Sequence, residues 1–135
     1  MQPQFLLIDD NRDGRSVIVR AVQRKYPEAS LLEFTAFSAA APVLGKLEAD
    51  PGNWIVVTGQ TAEHGPVALV AAARAAHPRV PIIALGRNHA PAAVTAGATH
   101  YLEYEAWLLL GVIIERVSAG WKPAADGGAG QKPVS

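Results

Sequence analysis

Phe5-Leu6-Leu7-Ile8-Asp9-Asp10-Asn11 sets four apolar residues directly against two adjacent carboxylates and an amide. A short apolar run that ends so abruptly reads as a buried strand, and with no basic residue ahead of it the run does not suit a signal peptide. The polar residues that follow leave two possibilities open. Asp and Asn accept hydrogen bonds from the exposed amides of a helix start and suit its positive end. Two neighbouring carboxylates at a strand end also repel each other and lose hydration, which calls for a magnesium ion, an arginine or a lysine nearby.

Working outward, the same punctuation recurs along the chain. Further runs rich in leucine and β-branched residues fall at Leu31 to Phe34, Trp54 to Thr58, Pro81 to Leu85 and His100 to Leu102. Between and after them the composition predicts helices over Arg12 to Lys25, Ser38 to Ala49, Pro66 to Ala76, Pro91 to Ala96 and Glu105 to Ala119. Pro66 and Pro91 stand where a helix start tolerates a missing donor. Strands alternating with helical stretches imply an α/β fold with a parallel sheet. Ile55-Val56-Val57 and Ile82-Ile83-Ala84-Leu85 are continuously apolar, as central strands covered on both faces require.

The 135 residues suffice for one compact domain. Half are hydrophobic and 18% are charged, which excludes a largely disordered chain. Lysine plus arginine equal aspartate plus glutamate at 12 each, so net charge draws the chain neither to nucleic acid nor to an anionic membrane. The longest apolar stretch, Ala106 to Ile114, is far too short to span a bilayer. Cysteine is absent, which removes disulfides, thiolate metal sites and a cysteine nucleophile and fits a cytoplasmic location. Residues 120–135 are rich in Gly and Pro and offer little to bury, so they are expected to form a flexible tail to a domain over 1–119.

In an open parallel α/β sheet, ligands bind beyond the carboxyl ends of the strands. The residues there are Asp9 and Asp10, then Thr58, Gly59 and Gln60, then Gly86 and Arg87, then Glu103 and Tyr104. Leu-Leu-Ile-Asp-Asp-Asn at the first strand, Pro-Ile-Ile-Ala-Leu in the fourth and Ala-Gly-Ala-Thr-His-Tyr-Leu into the fifth come in the order of a known family. From Phe5 to Ala119 the chain resembles the receiver domains of two-component response regulators. The resemblance implies a flavodoxin-like doubly wound fold, a five-stranded parallel sheet in the order 2-1-3-4-5 with five helices. It also implies a signalling module and not an enzyme: the family takes a phosphoryl group from a histidine kinase onto an aspartate after the third strand, with magnesium on the acidic pair.

Carried over by position, the acidic pair is Asp9 and Asp10, and the aromatic residue of the fifth strand is Tyr101. The phosphoacceptor position falls on Thr58, the hydroxyl position on Gly86 and the lysine position on Tyr104. Phosphoryl transfer relies on positioning and electrostatic stabilisation around a carboxylate nucleophile and a cation. Thr58 cannot form an acyl phosphate, and two carboxylates alone make a weak magnesium site. The chain is thus expected to be a degenerate, phosphorylation-independent receiver that acts on a protein partner such as a histidine kinase or another signalling protein. Arg87 or Arg12 is expected to reach toward Asp9 and Asp10 in place of the metal.

The apolar helix after the fifth strand carries more than a core stripe needs, which points to Tyr101, Trp107 and Leu108 as partner contacts and to a homodimer through the α4-β5-α5 face of the resembling family. Two alternatives stand beside this. One is a small flavodoxin-like enzyme or ligand-binding protein using a carboxyl-face pocket around Asp9, Thr58, His64 and His89. The other is a receiver phosphorylated at a different residue, such as Asp10. No DNA-binding output domain is expected after the fifth helix.

Overall fold

The computed structural model describes residues 3–47, 53–88 and 90–120. Five strands, β1 (Gln4–Ile8), β2 (Leu31–Phe34), β3 (Trp54–Thr58), β4 (Ile82–Gly86) and β5 (His100–Glu103), alternate with helices α1 (Arg12–Lys25), α2 (Phe37–Leu44), α3 (Pro66–Ala76), α4 (Ala90–Ala96) and α5 (Leu110–Gly120). Every paired strand is parallel and the order is 2-1-3-4-5, so the flavodoxin-like doubly wound fold expected above is the fold observed.

Strand residues alternate between the two faces of a sheet. Here the alternation sorts the core by residue parity. Phe5, Leu7, Ile55, Val57, Ile83 and Leu85 pack with Ile18 and Val22 of α1 and Leu110, Ile114 and Val117 of α5. Leu6, Ile8, Val56 and Ile82 face the other way, with Ala40 and Leu44 of α2 and Leu69 and Ala73 of α3. A small third cluster, Val70, Ala84, Ala93 and Ala98, seats α4. Full burial of each large aliphatic side chain stabilises by about 1.5–3 kcal/mol, which is why β1, β3 and β4 carry apolar residues at both parities. Edge strand β2 alternates less strictly, and its Glu33 pairs with Arg15 of α1 at 3.1 Å.

Two boundaries differ from the sequence expectation by more than one residue. The second helix closes at Leu44, with Pro42 removing an amide inside it and Gly45 at its end; residues 48 and 49 of the expected span lie outside the described residues. The fifth helix does not begin at Glu105. Residues Tyr104–Leu109 form a 3-10 turn, with Ala106 at φ −98° and ψ 23°, before α5 proper. The apolar stretch is thereby split into two orientations. Residues 121–135, most of the expected tail, fall outside the described residues.

The corner between α3 and β5 is held by one side chain. Arg74 donates to the carbonyl of Gly97 through Nε (3.0 Å) and Nη2 (2.9 Å), and through Nη1 to the carbonyls of Val80 (2.7 Å) and His77 (3.2 Å). Gly97 has φ +123°, and a Cβ there would sit 2.7 Å from Arg74 Cγ, so glycine is required twice over. Removing a charged donor that satisfies several carbonyls costs about 1.5–3 kcal/mol. Arg74→Ala should therefore lower unfolding free energy by about that amount in urea titration, and Arg74→Lys should recover little of it because an ammonium cannot reproduce the fork.

Candidate functional site

The parity that sorts the core continues past the strand ends. Gly59 donates its amide to the Ile8 carbonyl (2.9 Å) and Asp10 donates to Gln60 (2.9 Å), so the β1–β3 ladder runs on for two residues. Asp9 and Gly59 thus emerge on the face of Leu7 and Val57, which is also the face of α1 and α5. Tyr104 comes to the same place from β5, where Leu102 shares the cluster of Leu85.

Asp9 is fully buried. Its Oδ1 accepts from the Asn11 amide at 2.9 Å, and its Oδ2 accepts a hydrogen bond from the Tyr104 hydroxyl. Asn11 in turn caps α1, its Oδ1 accepting from the Gly14 amide at 2.9 Å. Arg15 reaches back from α1 and donates to the Asp9 backbone carbonyl at 2.9 Å, fixing the strand end without touching the carboxylate. Burial pushes the Asp9 carboxyl above its ordinary range, with the bonds from Tyr104 and Asn11 opposing and the neighbouring charge of Asp10 adding to it. The Tyr104 phenol is pushed well up, first by burial and then by its bond to Asp9.

Gly59 makes this contact possible, whereas Gly14 leaves room for ordinary packing against the ring. A Cβ at Gly59 would collide with the Asp9 carboxylate and lie 2.6 Å from the Tyr104 hydroxyl oxygen. A Cβ at Gly14 would come to 3.4 Å of Tyr104 Cε1. The tyrosine ring therefore fills a slot between the first turn of α1 and the loop after β3, and the Arg87 guanidinium lies over it, 5.9 Å from the ring centre.

The residues named from sequence separate into three places. Thr58 is fully buried and pairs in register with Ile8, on the α2/α3 side of the sheet. Its Oγ1 has no hydrogen-bond partner. The position facing Asp9 is Gly59, because alternation puts residues 58 and 59 on opposite faces. Gly86 ends β4 beside Glu103 and lines the cleft next to Tyr104. The group on the Asp9 carboxylate is the Tyr104 hydroxyl; Arg87 stacks on the ring instead, and Arg12 is exposed on α1. The expected partner face also divides. Tyr101 packs with the α4 cluster, Trp107 lines the cleft, and Leu108 is 70% exposed. His64 lies edge-on to Phe37, ring centres 5.6 Å apart, toward α2 rather than beside Asp9, and His89 lies outside the described residues.

A magnesium ion does not fit this arrangement. Both Asp9 oxygens already accept hydrogen bonds, Asp10 is exposed, and the third carboxylate position of such a site is a glycine. Among the described residues no group of three or more His, Asp or Glu could hold a metal. Sequence inspection missed Gly59 as the facing position and Tyr104 as a donor. Parity from Leu7 to Asp9 and from Val57 to Gly59 gives the first only once the pairing of β1 with β3 is known.

The raised Asp9 carboxyl has a defined sign. The folded state holds this proton more tightly than the unfolded chain, so its contribution is fully present below pH 3.8 and is lost as pH rises through the higher folded value. At neutral pH the ionised carboxylate is a cost. Asp9→Asn should raise the melting temperature at pH 7, with the advantage fading as pH falls through the raised folded value and gone below about 4. Tyr104→Phe strips a donor from the same buried carboxylate and should cost about 1.5–3 kcal/mol at pH 7, read by chemical denaturation.

No family model matches this chain, and no curated protein matches it. Solved structures do. The non-phosphorylated receiver domain of the stress response regulator RcsB from Escherichia coli superposes with a TM-score of 0.68 at 18% identity, covering 89% of this chain and 95% of that one. The receiver domain of the histidine kinase CKI1 from Arabidopsis thaliana complexed with Mg2+ gives 0.68 at 16% identity, over 85% and 91%. The beryllofluoride-activated NtrC4 receiver domain dimer gives 0.67 at 16%, over 88% and 98%. The chain has the fold of response regulator receiver domains.

Proposed function

We propose that this protein is a receiver-type signalling module that acts by protein contact without phosphorylation. The observation that carries the proposal is the Tyr104–Asp9 hydrogen bond across Gly59. An acyl-phosphate acceptor has to be a carboxylate beside the acidic pair, and the position beside Asp9 has no side chain at all. The space an acceptor would occupy holds the tyrosine hydroxyl, and the positive charge that would steady a phosphoryl group is a phenol held neutral by burial. Acceptor, metal and cation are lost together, which is consistent, since each is needed only where the others are present. No catalytic residue is assigned.

The output surface in this proposal is the apolar face at the start of α5. Leu108, Leu109 and Val112 are 70%, 53% and 46% exposed. Isolated exposed leucines are ordinary, but three within one turn form a patch suited to a protein partner, whether a histidine kinase, another signalling protein or a second copy of this chain. Among the described residues no helix is long and apolar enough to cross a membrane. A cytoplasmic setting, with no nucleic-acid role, completes the proposal.

Mass spectrometry after incubation with acetyl phosphate and Mg2+ should find no phosphoryl adduct. An adduct mapped to Asp10 would replace this proposal with phosphorylation at a non-standard residue. Gly59→Asp alone should destabilise, because it collides with Asp9 and Tyr104, whereas adding Tyr104→Lys should relieve the strain and admit Mg2+, detected by titration against tryptophan fluorescence. For the apolar face, light scattering of Leu108→Glu beside the unaltered chain should show loss of any dimer with no loss of helicity.

A further inference from the structure

A cleft of about 580 Å³ opens at the carboxyl edge of the sheet, between the first turns of α1, the 3-10 turn Tyr104–Leu109 and the segments after β3 and β4, where Gln60, Gly86 and Arg87 line it. That volume lies within the range of small-molecule sites. It exists because the chain after β5 turns as a 3-10 segment before α5 begins, which holds Trp107 away from the core and beside α1. Val17 lines its apolar side, Tyr104 and Trp107 contribute aromatic walls, and Asp13 and Glu105, both exposed, line it as carboxylates.

The charges along this lining choose the ligand. Among the described residues that line it, the one basic side chain is Arg87, and that guanidinium already lies over the Tyr104 ring. An organic cation on an aromatic wall is thus an interaction the cleft makes with its own chain. Asp13 and Glu105 outnumber Arg87, and Asp9 lies behind Tyr104, so an anion entering here would meet repulsion. Aromatic faces combined with carboxylates are the recognition elements for a cation carrying an apolar body. We infer that the cleft is a binding site for a small aromatic amine, its ring against Trp107 and its ammonium toward Asp13 and Glu105. The inference goes beyond the function proposed above: it concerns a ligand held in front of Tyr104, a residue the cleft shares with that site.

Three indole probes of one size and different charge test it on the full chain: tryptamine, neutral tryptophol and indole-3-acetate. Calorimetric titration should give tryptamine at least about tenfold tighter than indole-3-acetate, with tryptophol between. The Trp107 indole N–H resonance, assigned with Trp107→Phe, should shift with tryptamine. Asp13→Asn with Glu105→Gln should erase the preference for the cation while lowering the melting temperature only slightly, because both side chains are exposed and only the helix-start charge of Asp13 is lost. Trp107→Ala should weaken all three probes. The inference is overturned by equal affinities for amine and acid, by tryptamine failing to saturate at about 10 mM, or by shifts confined to another surface. An arginine-rich peptide that saturates the Trp107 resonance where tryptamine does not would reassign the cleft to a protein side chain. The acetyl phosphate experiment has a separate readout, so either conclusion can fail alone.

Discussion

Burial of β1, β3 and β4 on both faces is the constraint from which the carboxyl edge follows. Because α1 and α5 cover one face and α2 and α3 the other, each residue of these strands is committed to one apolar layer. A one-residue slip would exchange every side chain between layers, so the register is fixed by the whole core. That register delivers Asp9 and Gly59 side by side on the α1/α5 face and sends Thr58 to the other. No local interaction at the edge could have chosen this arrangement against the combined burial of Phe5, Leu7, Ile55 and Val57.

Given the register, the contact between Tyr104 and Asp9 is a solution to a desolvation problem. A carboxylate with no access to water needs donors or a counter-charge. Asn11 supplies one donor and Tyr104 the other, while Arg15 spends its charge on the Asp9 carbonyl and Glu33. A neutral phenol satisfies one oxygen without neutralising the charge, which leaves the Asp9 carboxyl raised and the phenol raised with it. Gly59 is the steric counterpart of that choice, since a Cβ there would collide with the Asp9 carboxylate and the Tyr104 hydroxyl. The 3-10 turn beginning at Tyr104 carries the same adjustment outward, opening the cleft in front of Trp107 and presenting Leu108 and Leu109 to solvent.

The chain order of strands and helices, the parallel sheet and its central strands were legible in the sequence, because continuous apolar runs such as Ile55-Val56-Val57 have few other homes and Pro66 and Gly97 mark boundaries through their own backbone limits. The sequence also determined that an acidic pair ends β1 and that neither Thr58 nor Gly59 can serve as a carboxylate acceptor. Tertiary structure alone decided which of those two residues faces Asp9, since that depends on pairing between strands about fifty residues apart in sequence. It alone decided that Tyr104, and not Arg87 or Arg12, meets the carboxylate: a long arginine can reach many places, and its position is set by competing partners, here the face of the tyrosine ring. The cleft likewise could not be read from composition, because it depends on a change of helical geometry at Ala106 that the apolar run Ala106 to Ile114 conceals.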